Sequence, residues 1–175
     1  SGAFDDRCSM VAILRALELV QGKIKNLTLT VLFSVQEETG GSGARTGSFS
    51  AMPDYAIAVD VGFGDDPYTD KTTTISLGKG PSIGISPTLD RELTNELKVI
   101  CKEKDIPYQH DVMGGRTGTN ADSINNTGKG VKTALLSIPL RYMHTGIEVI
   151  NTNDIENTAK LIAEYLLMKE AECCD

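Results

Sequence analysis

Residues 55–61 read Tyr-Ala-Ile-Ala-Val-Asp-Val, a short and almost entirely apolar run with several β-branched side chains. Such a run is typical of a strand that is buried on both faces of a sheet. Residues 27–35 (LTLTVLFSV) have the same character and predict a second buried strand. Residues 8–20 place apolar side chains at helical spacing and end at Gln21-Gly22, which predicts a helix ahead of both strands.

Strands and helices continue to alternate along the rest of the chain. Further strands are predicted at residues 72–77, 107–113 and 132–138, and further helical segments near 44–51, at 88–104, around 121–126 and at 154–169. Asn153 or Asp154 is the expected N-cap of the last helix. This alternation predicts an α/β domain over residues 1–175, with a mostly parallel sheet flanked by helices.

The composition favours a soluble, cytoplasmic protein. The net charge of −7 and the scattered Lys and Arg residues argue against a nucleic-acid surface. No apolar run is long enough to span a membrane, and the first residues lack both a signal-peptide pattern and an initiating Met, so we expect residues upstream. Cys8, Cys101 and the adjacent Cys173 and Cys174 lack the paired spacing of zinc ligands and are expected to be reduced, mostly structural thiols.

Ionisable side chains gather at the predicted carboxyl ends of the strands, where open α/β sheets bind their ligands. They are Asp5 and Asp6 ahead of the first helix, Glu37 and Glu38 after the strand at 27–35, Asp60 at the end of the strand at 55–61, and His144 after the strand at 132–138. Taken alone, Asp5 or Asp6 could cap the helix, and a lone histidine such as His144 is more often structural. Asp60 is harder to explain, because a carboxylate in an apolar strand is unfavourable unless it is paired or binds a metal. His110 is expected to be structural or exposed.

Together these carboxylates and the imidazole form an oxygen and nitrogen donor set that suits zinc, manganese or cobalt. Two such ions, about 3.5–4 Å apart, could share one carboxylate and activate a water molecule, with a free carboxylate as general base. Glu37 and Glu38 can take two of these roles only if strand alternation has ended before them, and the glycines that follow permit a loop. Their adjacency weakens a glycosidase interpretation, in which two carboxyl groups lie about 5–9.5 Å apart.

Five short motifs follow one another along the chain. In order, they are Phe-Asp5-Asp6-Arg7, Val-Gln-Glu37-Glu38-Thr-Gly, Ala-Val-Asp60-Val, Leu-Gly78-Lys79-Gly80-Pro81 and Arg141-Tyr142-Met143-His144-Thr. This order resembles the tetrahedral aminopeptidase family of metallopeptidases, which includes glutamyl and deblocking aminopeptidases and proteins once labelled endoglucanases. The likeness runs nearly end to end. It implies the phosphorylase/hydrolase-like catalytic domain of these metallopeptidases, of which this chain would be the C-terminal portion.

The resemblance implies a site with two divalent metal ions, zinc first and cobalt or manganese as alternatives. Asp5 matches the carboxylate that bridges the ions, and Asp6 matches the neighbour that helps to orient a ligand. Glu37 matches the general base. The remaining metal ligands match Glu38 and His144 on one ion and Asp60 on the other.

The resemblance also has gaps. Gly118-Thr119-Asn120 resembles a substrate-side loop, but Asn120 stands where Asp is expected. Family members carry a His-x-Asp motif and an inserted β-domain upstream of the Asp-Asp-Arg segment, and neither is present in this sequence. We therefore expect the Asp60 metal to lack one protein ligand, and this chain alone to bind that metal weakly and to have little activity.

For the intact protein, the resemblance implies a homo-oligomeric aminopeptidase that cleaves the N-terminal bond of short peptides, without a nucleic-acid or membrane partner. Two other classes stay open. One is a metal-dependent amidohydrolase or deacylase acting on small amides. The other is a non-catalytic assembly subunit on the same fold, although the base and the ligands are retained in the sequence.

Overall fold

The computed structural model describes residues 2–67, 69–70 and 72–173. Helices and strands alternate through most of this part of the chain, which confirms the predicted α/β class. The elements are α1 (Phe4–Val20), α2 (Ser42–Ala51), β1 (Tyr55–Phe63), β2 (Ser82–Ile85), α3 (Arg91–Glu103), β3 (Gln109–Val112), α4 (Ala121–Ile124), β4 (Lys132–Arg141), β5 (Val149–Ile150) and α5 (Thr152–Glu172).

The central sheet has the strand order β1-β4-β2-β3, and β5 pairs with the end of β4. β1 and β4 run parallel from Tyr55 opposite Lys132 to Phe63 opposite Leu140. β2 and β3 are also parallel, whereas short antiparallel pairs join β2 and β5 to β4. Most of the ladder is therefore parallel, as predicted. The long β1–β4 pair brings the end of β1 and the loop after β4 to the same edge.

The core lies on both faces of β4. Leu136 belongs to a cluster with apolar side chains of α1, α3 and α5, whereas its neighbour Leu135 packs with Ala121 of α4 and Leu89 on the opposite face. Successive side chains of a strand point to opposite faces, so a run that is apolar at every position needs cover on both sides. Helices on the two faces provide that cover and hold β4 in a fixed position.

Residues 27–35 differ from the prediction of a buried strand. The structure gives them no strand assignment, and the apolar side chains from Leu29 to Val35 are exposed, from 37% for Val31 to 68% for Val35. β-branched residues favour a pleated surface, but a strand forms only where a neighbour completes its ladder of hydrogen bonds. No strand in the described ranges pairs with this segment. The segment lies beside α2, where Gly47 is close to the side chain of Leu32.

Two smaller predictions are also wrong. Residues 72–77 form no strand and contribute one isolated bridge, between Ile75 and Gly64. The N-cap of α5 is Asn151, whose side chain accepts a hydrogen bond from the backbone N–H of Asn153, instead of Asn153 or Asp154. Strands β2 and β5, of four and two residues, are not among the strands predicted from the sequence.

The carboxylate of Asp154 has a different function from the predicted cap. It is fully buried and accepts the backbone N–H groups of Gly78 and Gly80, at 2.7 and 2.8 Å. Charge-assisted bonds of this kind are strong, and they hold the Gly-Lys-Gly turn against the start of α5.

The thiols agree with the prediction as far as they are described. Cys8 and Cys101 are buried and unpaired, and Cys173 is exposed and unpaired, whereas Cys174 lies outside the described residues. Burial raises the pKa of the Cys101 thiol to about 12, so this group stays protonated at neutral pH. Among the described residues, no helix combines the length and apolar character needed to cross a bilayer.

Candidate metal centre

Glu37 and Glu38 lie in a tight turn. The residue before them, Gln36, has a φ of 61°, in the left-handed region that few non-glycine residues adopt. The N–H of Gly41 donates to the carbonyl oxygen of Gln36 at 2.8 Å, and the N–H of Gly40 donates to that of Glu37 at 3.1 Å. The extended segment therefore ends before Glu37. The two neighbouring carboxylates are free of the alternation that would place them on opposite faces.

Asp5 and Asp6 precede the regular part of α1. Both have non-helical backbone angles, and the peptide bond between them is cis. Asp6 Oδ1 accepts the backbone N–H of Ser9 at 3.2 Å and the thiol of Cys8 at 3.7 Å. Asp6 thus does what a helix cap does, satisfying an N–H of the first turn. Burial raises the pKa of Asp6 to about 6.

His144 lies in the loop between β4 and β5. The backbone N–H and the hydroxyl of Thr145 both donate to the carbonyl oxygen of Tyr142, which closes this loop, and Tyr142 and His144 have φ values of 59° and 62°. The Nε2 atom of His144 lies 3.2 Å from Asp5 Oδ2 and 3.6 Å from Glu38 Oε1. Three segments that are remote in sequence therefore meet at one point.

Asp60 lies in β1 and is only 9% exposed. Its Oδ1 atom accepts the backbone N–H of Val61 at 2.8 Å. Burial, and then the charges of Asp6, Glu37 and Asp5, raise the pKa of Asp60 to about 8. Asp60 is therefore within electrostatic range of the other carboxylates, although it is outside the group that meets at His144.

These six residues are treated below as one acidic cluster, which comprises Asp5, Asp6, Glu37, Glu38, Asp60 and His144. The ligand atoms of Asp5, Glu38 and His144 all lie within 4.8 Å of one another. Burial and the charge of Glu38 raise the pKa of Asp5, and the same two causes raise the pKa of Glu37. In the part of the chain that the structure describes, no Lys or Arg forms an ion pair with any member of the cluster.

The chemistry of this donor set fits a divalent metal ion. Carboxylates that crowd together raise one another's pKa, and a nearby positive charge relieves that repulsion. The described residues supply no lysine or arginine for this purpose. An imidazole with several carboxylates, and no thiolate in contact with Asp5 or Glu38, is a donor set suited to zinc, manganese or cobalt.

The predicted substrate-side loop lies against the turn that carries the two glutamates. Asn120 Nδ2 donates to the hydroxyl of Ser34 at 3.1 Å, and Asn120 Oδ1 is 3.5 Å from the point where a Cβ at Gly41 would lie. Gly118 has a φ of 72°, and α4 begins three residues later at Ala121. A cavity of about 460 Å³ opens beside this loop and is lined by Gly40, Arg45, Thr88, Arg116, Asp122, Ser123 and Asn126.

Glu148 is a further residue of this region and is not among those predicted from the sequence. It is 3% exposed, and its Oε2 atom accepts the backbone N–H groups of Phe4 at 2.6 Å and Asp5 at 3.3 Å. The sequence signal that could have revealed it is its position between Ile147 and Val149. An acidic residue in a β-branched run indicates a buried carboxylate with specific partners.

Three comparisons place the chain among known peptidases. The lysyl aminopeptidase of Pyrococcus furiosus is 36% identical over 162 residues, which cover 93% of this chain and 46% of that protein. The structure of an aminopeptidase from the archaeon Desulfurococcus kamchatkensis matches with a TM-score of 0.84 and 34% identity, over 95% of this chain and 48% of its own. The TET1 peptidase of Pyrococcus horikoshii, which can assemble into a tetrahedron or a large octahedral shell, matches with a TM-score of 0.73 and 30% identity, over 93% and 48%.

The chain thus spans about half the length of these relatives. The sequence model of the M42 glutamyl aminopeptidase family matches residues 1–161, which is most of the chain. Peptidases of this family are generally metal-dependent, in agreement with the donor set of the acidic cluster. The resemblance drawn from the five motifs is confirmed, and the chain belongs to the M42 glutamyl aminopeptidase family.

Proposed function

We propose that the protein carrying this chain is a metal-dependent aminopeptidase that hydrolyses the N-terminal peptide bond of short peptides. The observation that carries the proposal is the meeting of Asp5, Glu38 and His144 in one group of metal donors. The lysyl aminopeptidase relative supports the same activity. Residues 1–175 would form the C-terminal portion of the catalytic domain, in line with the half-length match to the relatives.

The acidic cluster would hold two divalent ions, with zinc preferred. Glu38 and His144 would bind one ion, Asp60 would bind the other, and Asp5 would be shared between them. Asp5 suits the shared position because it lies 3.2 Å from His144 and its charge also raises the pKa of Asp60. When bound, such ions polarise the scissile carbonyl group and lower the pKa of a water molecule.

Glu37 would act as the general base. It belongs to the same turn as Glu38, yet no described cation pairs with it. Burial and the charge of Glu38 raise the pKa of Glu37. The raised pKa is closer to that of an effective general base at neutral pH. Glu37 would accept a proton from the attacking water and pass it to the nitrogen of the leaving amine. Asp6, bonded to the first turn of α1, would keep Asp5 oriented.

The peptide would approach along the loop of Gly118, Thr119 and Asn120. The hydrogen bond from Asn120 to Ser34 supports this placement, because it fixes the loop beside the turn of Glu37. The neighbouring cavity of about 460 Å³ has room for a side chain of the substrate. We further propose a homo-oligomer, on the precedent of the TET1 peptidase and its shells.

The test compares two substrate classes on the metal-loaded protein that carries this chain. Aminoacyl anilides report aminopeptidase activity, and N-acyl amino acids report deacylase activity. Glu37→Ala should lower kcat on the anilides by about 10²–10⁴-fold without loss of bound metal, since general bases contribute about this much. Glu92→Ala is the matched control, because Glu92 is an exposed glutamate of α3 that pairs with Lys132.

Each outcome separates the proposed function from its alternatives. Hydrolysis of N-acyl amino acids alone would establish the amidohydrolase or deacylase class. A metal-loaded protein that cleaves neither substrate would be an assembly subunit. If Glu37→Ala keeps wild-type turnover of the anilides, Glu37 is not the base.

A further inference from the structure

The segment that carries Asp5 is held by a carboxylate from the other end of the chain. Glu148 Oε2 accepts the backbone N–H of Phe4 at 2.6 Å and that of Asp5 at 3.3 Å. A charged acceptor shortens and strengthens such bonds. Glu148 is 3% exposed, so little water competes for these bonds. The backbone position of Asp5 therefore depends on where Glu148 lies.

Glu148 also belongs to the segment that carries His144. Only three residues separate them, and the hydroxyl of Thr145 accepts the backbone N–H of Ile147 at 3.2 Å, which holds the intervening turn together. The two segments approach closely at the backbone level as well. A Cβ at Gly2 would lie 3.3 Å from the carbonyl oxygen of Gly146. One residue thus connects the loop of one metal donor to the backbone of another.

We propose that Glu148 is a positioning residue that sets the spacing between the metal-binding groups of Asp5 and His144. The inference rests on the proposed function, because that spacing matters only if the two groups bind a shared ion. The feature that holds the Asp5 segment is the acceptor oxygen of Glu148, at its present distance from the N–H groups of Phe4 and Asp5. The negative charge adds strength to these bonds, whereas an amide oxygen on a side chain of the same length keeps the reach.

Three substitutions separate reach from charge. Glu148→Gln keeps an acceptor oxygen at the same distance and removes the charge. Glu148→Asp keeps the charge and withdraws the oxygen by one methylene group. Glu148→Ala removes both. If Glu148 acts by position, the glutamine variant should behave like the wild type, and the other two should not.

The chain offers a matched control in Glu170. It is 8% exposed, and its carboxylate accepts the backbone N–H groups of Lys25, Asn26 and Leu27. Glu170 lies near the far end of α5, about 27 Å along the helix from Thr152 at its start. Glu170→Ala therefore removes a buried carboxylate of the same kind away from the acidic cluster.

The experiment titrates each variant of the chain with Co²⁺ and records the visible absorption bands, which report the geometry of the bound ion, together with the thermal unfolding curve. Glu148→Ala and Glu148→Asp should weaken cobalt binding by about 10–100-fold, the usual effect of losing a group that orients a ligand, and should change the shape of the bands. Glu148→Gln and Glu170→Ala should keep the wild-type bands and affinity, even if Glu170→Ala unfolds at a lower temperature.

The outcomes distinguish this inference from the proposed function. A wild-type chain that binds no cobalt would remove the metal site, and with it both proposals. A wild-type chain that binds cobalt, with unchanged bands and affinity in Glu148→Ala and Glu148→Asp, would overturn the positioning role alone. Should Glu148→Ala fail to fold, Glu148→Asp decides the question, and loss of binding in Glu148→Gln would show that charge acts instead of position.

Discussion

The carboxylate of Asp5 and the imidazole of His144 face each other at 3.2 Å, although they come from opposite ends of the chain. Their environments differ. The side chain of Asp5 is 11% exposed and that of His144 is 60% exposed, so one partner is anchored in the fold and the other lies at the surface. A metal ion that bound here would be accessible to solvent on the side of His144.

The two histidines of the chain provide a direct test of this pairing. His144→Ala should remove the tighter zinc-binding event, because it takes away the only nitrogen donor of the group at Asp5 and Glu38. His110→Ala is the control, since His110 is exposed on β3 and packs edge-on against Tyr108. Isothermal titration with zinc measures both. Equal zinc affinity in the two variants would mean that His144 is not a ligand.

Zinc binding to the wild-type chain should proceed in two unequal steps. Asp5, Glu38 and His144 offer three donor groups to one ion, the usual number for a catalytic zinc site. For the second ion, the predicted ligands within this chain are Asp60 and the shared Asp5, so this ion should bind more weakly. Two equally tight sites in the same titration would contradict this expectation.

The pH dependence of stability follows from Asp60. Its pKa is raised from 3.8 to about 8 in the folded chain, so between these values the folded state binds more protons than the unfolded state. Stability of the metal-free chain should therefore fall as the pH rises from about 4 to about 8, and level off above that. Thermal unfolding in the presence of a chelator, at steps across this range, measures the trend.

Asp60→Asn isolates the contribution of this one group. The amide cannot ionise, so the decline between pH 4 and pH 8 should become shallower, with the remaining slope due to Asp6 and the other raised carboxyl groups. Saturating zinc should oppose the wild-type trend, because carboxylates must lose their protons to bind a metal. An identical slope in Asp60→Asn and wild type would show that Asp60 does not titrate in this range.

The exposed segment at residues 27–35 should make the isolated chain associate with itself. Leu29 and Val31 are 40% and 37% exposed, and side chains two positions apart in an extended segment share a face. Unpaired, apolar extended segments are ready sites for association. Sedimentation velocity over a range of concentrations should show association in the wild type and less of it in a Leu29→Lys, Val31→Lys double variant. Val112→Lys, on the exposed side of β3, is the control.

Local sequence patterns predicted the helices and strands that have a long, regular apolar pattern. Helix α3, with apolar residues at steps of three and four and Asp90 as its cap, agrees with the prediction within a few residues. Strand β4 is largely apolar and is buried from Thr133 to Leu140, as such a run requires. Residues 27–35 have a similar composition but no pairing strand within the described ranges, and composition alone does not reveal whether a partner is there.

For the candidate site too, the sequence predicted some features and the structure alone revealed others. The order of the five motifs is a property of the sequence, and it was enough to name the family and to propose Asp5, Glu38, Asp60 and His144 as ligands. The left-handed backbone of Gln36, which frees Glu37 and Glu38 from strand alternation, has no sequence signal of its own.

By itself, the sequence determined which chemical groups are available, the α/β alternation and the family to which the chain belongs. Only the tertiary structure decided that His144 lies within 3.6 Å of Glu38, that Asp154 anchors a glycine turn instead of capping its helix, and that Glu148 holds the backbone of Asp5. The physical reason is the separation along the chain over which each kind of interaction acts. Helical spacing and capping act over a few residues, whereas these contacts depend on the register of β1 with β4 and on the packing of helices far apart in the chain.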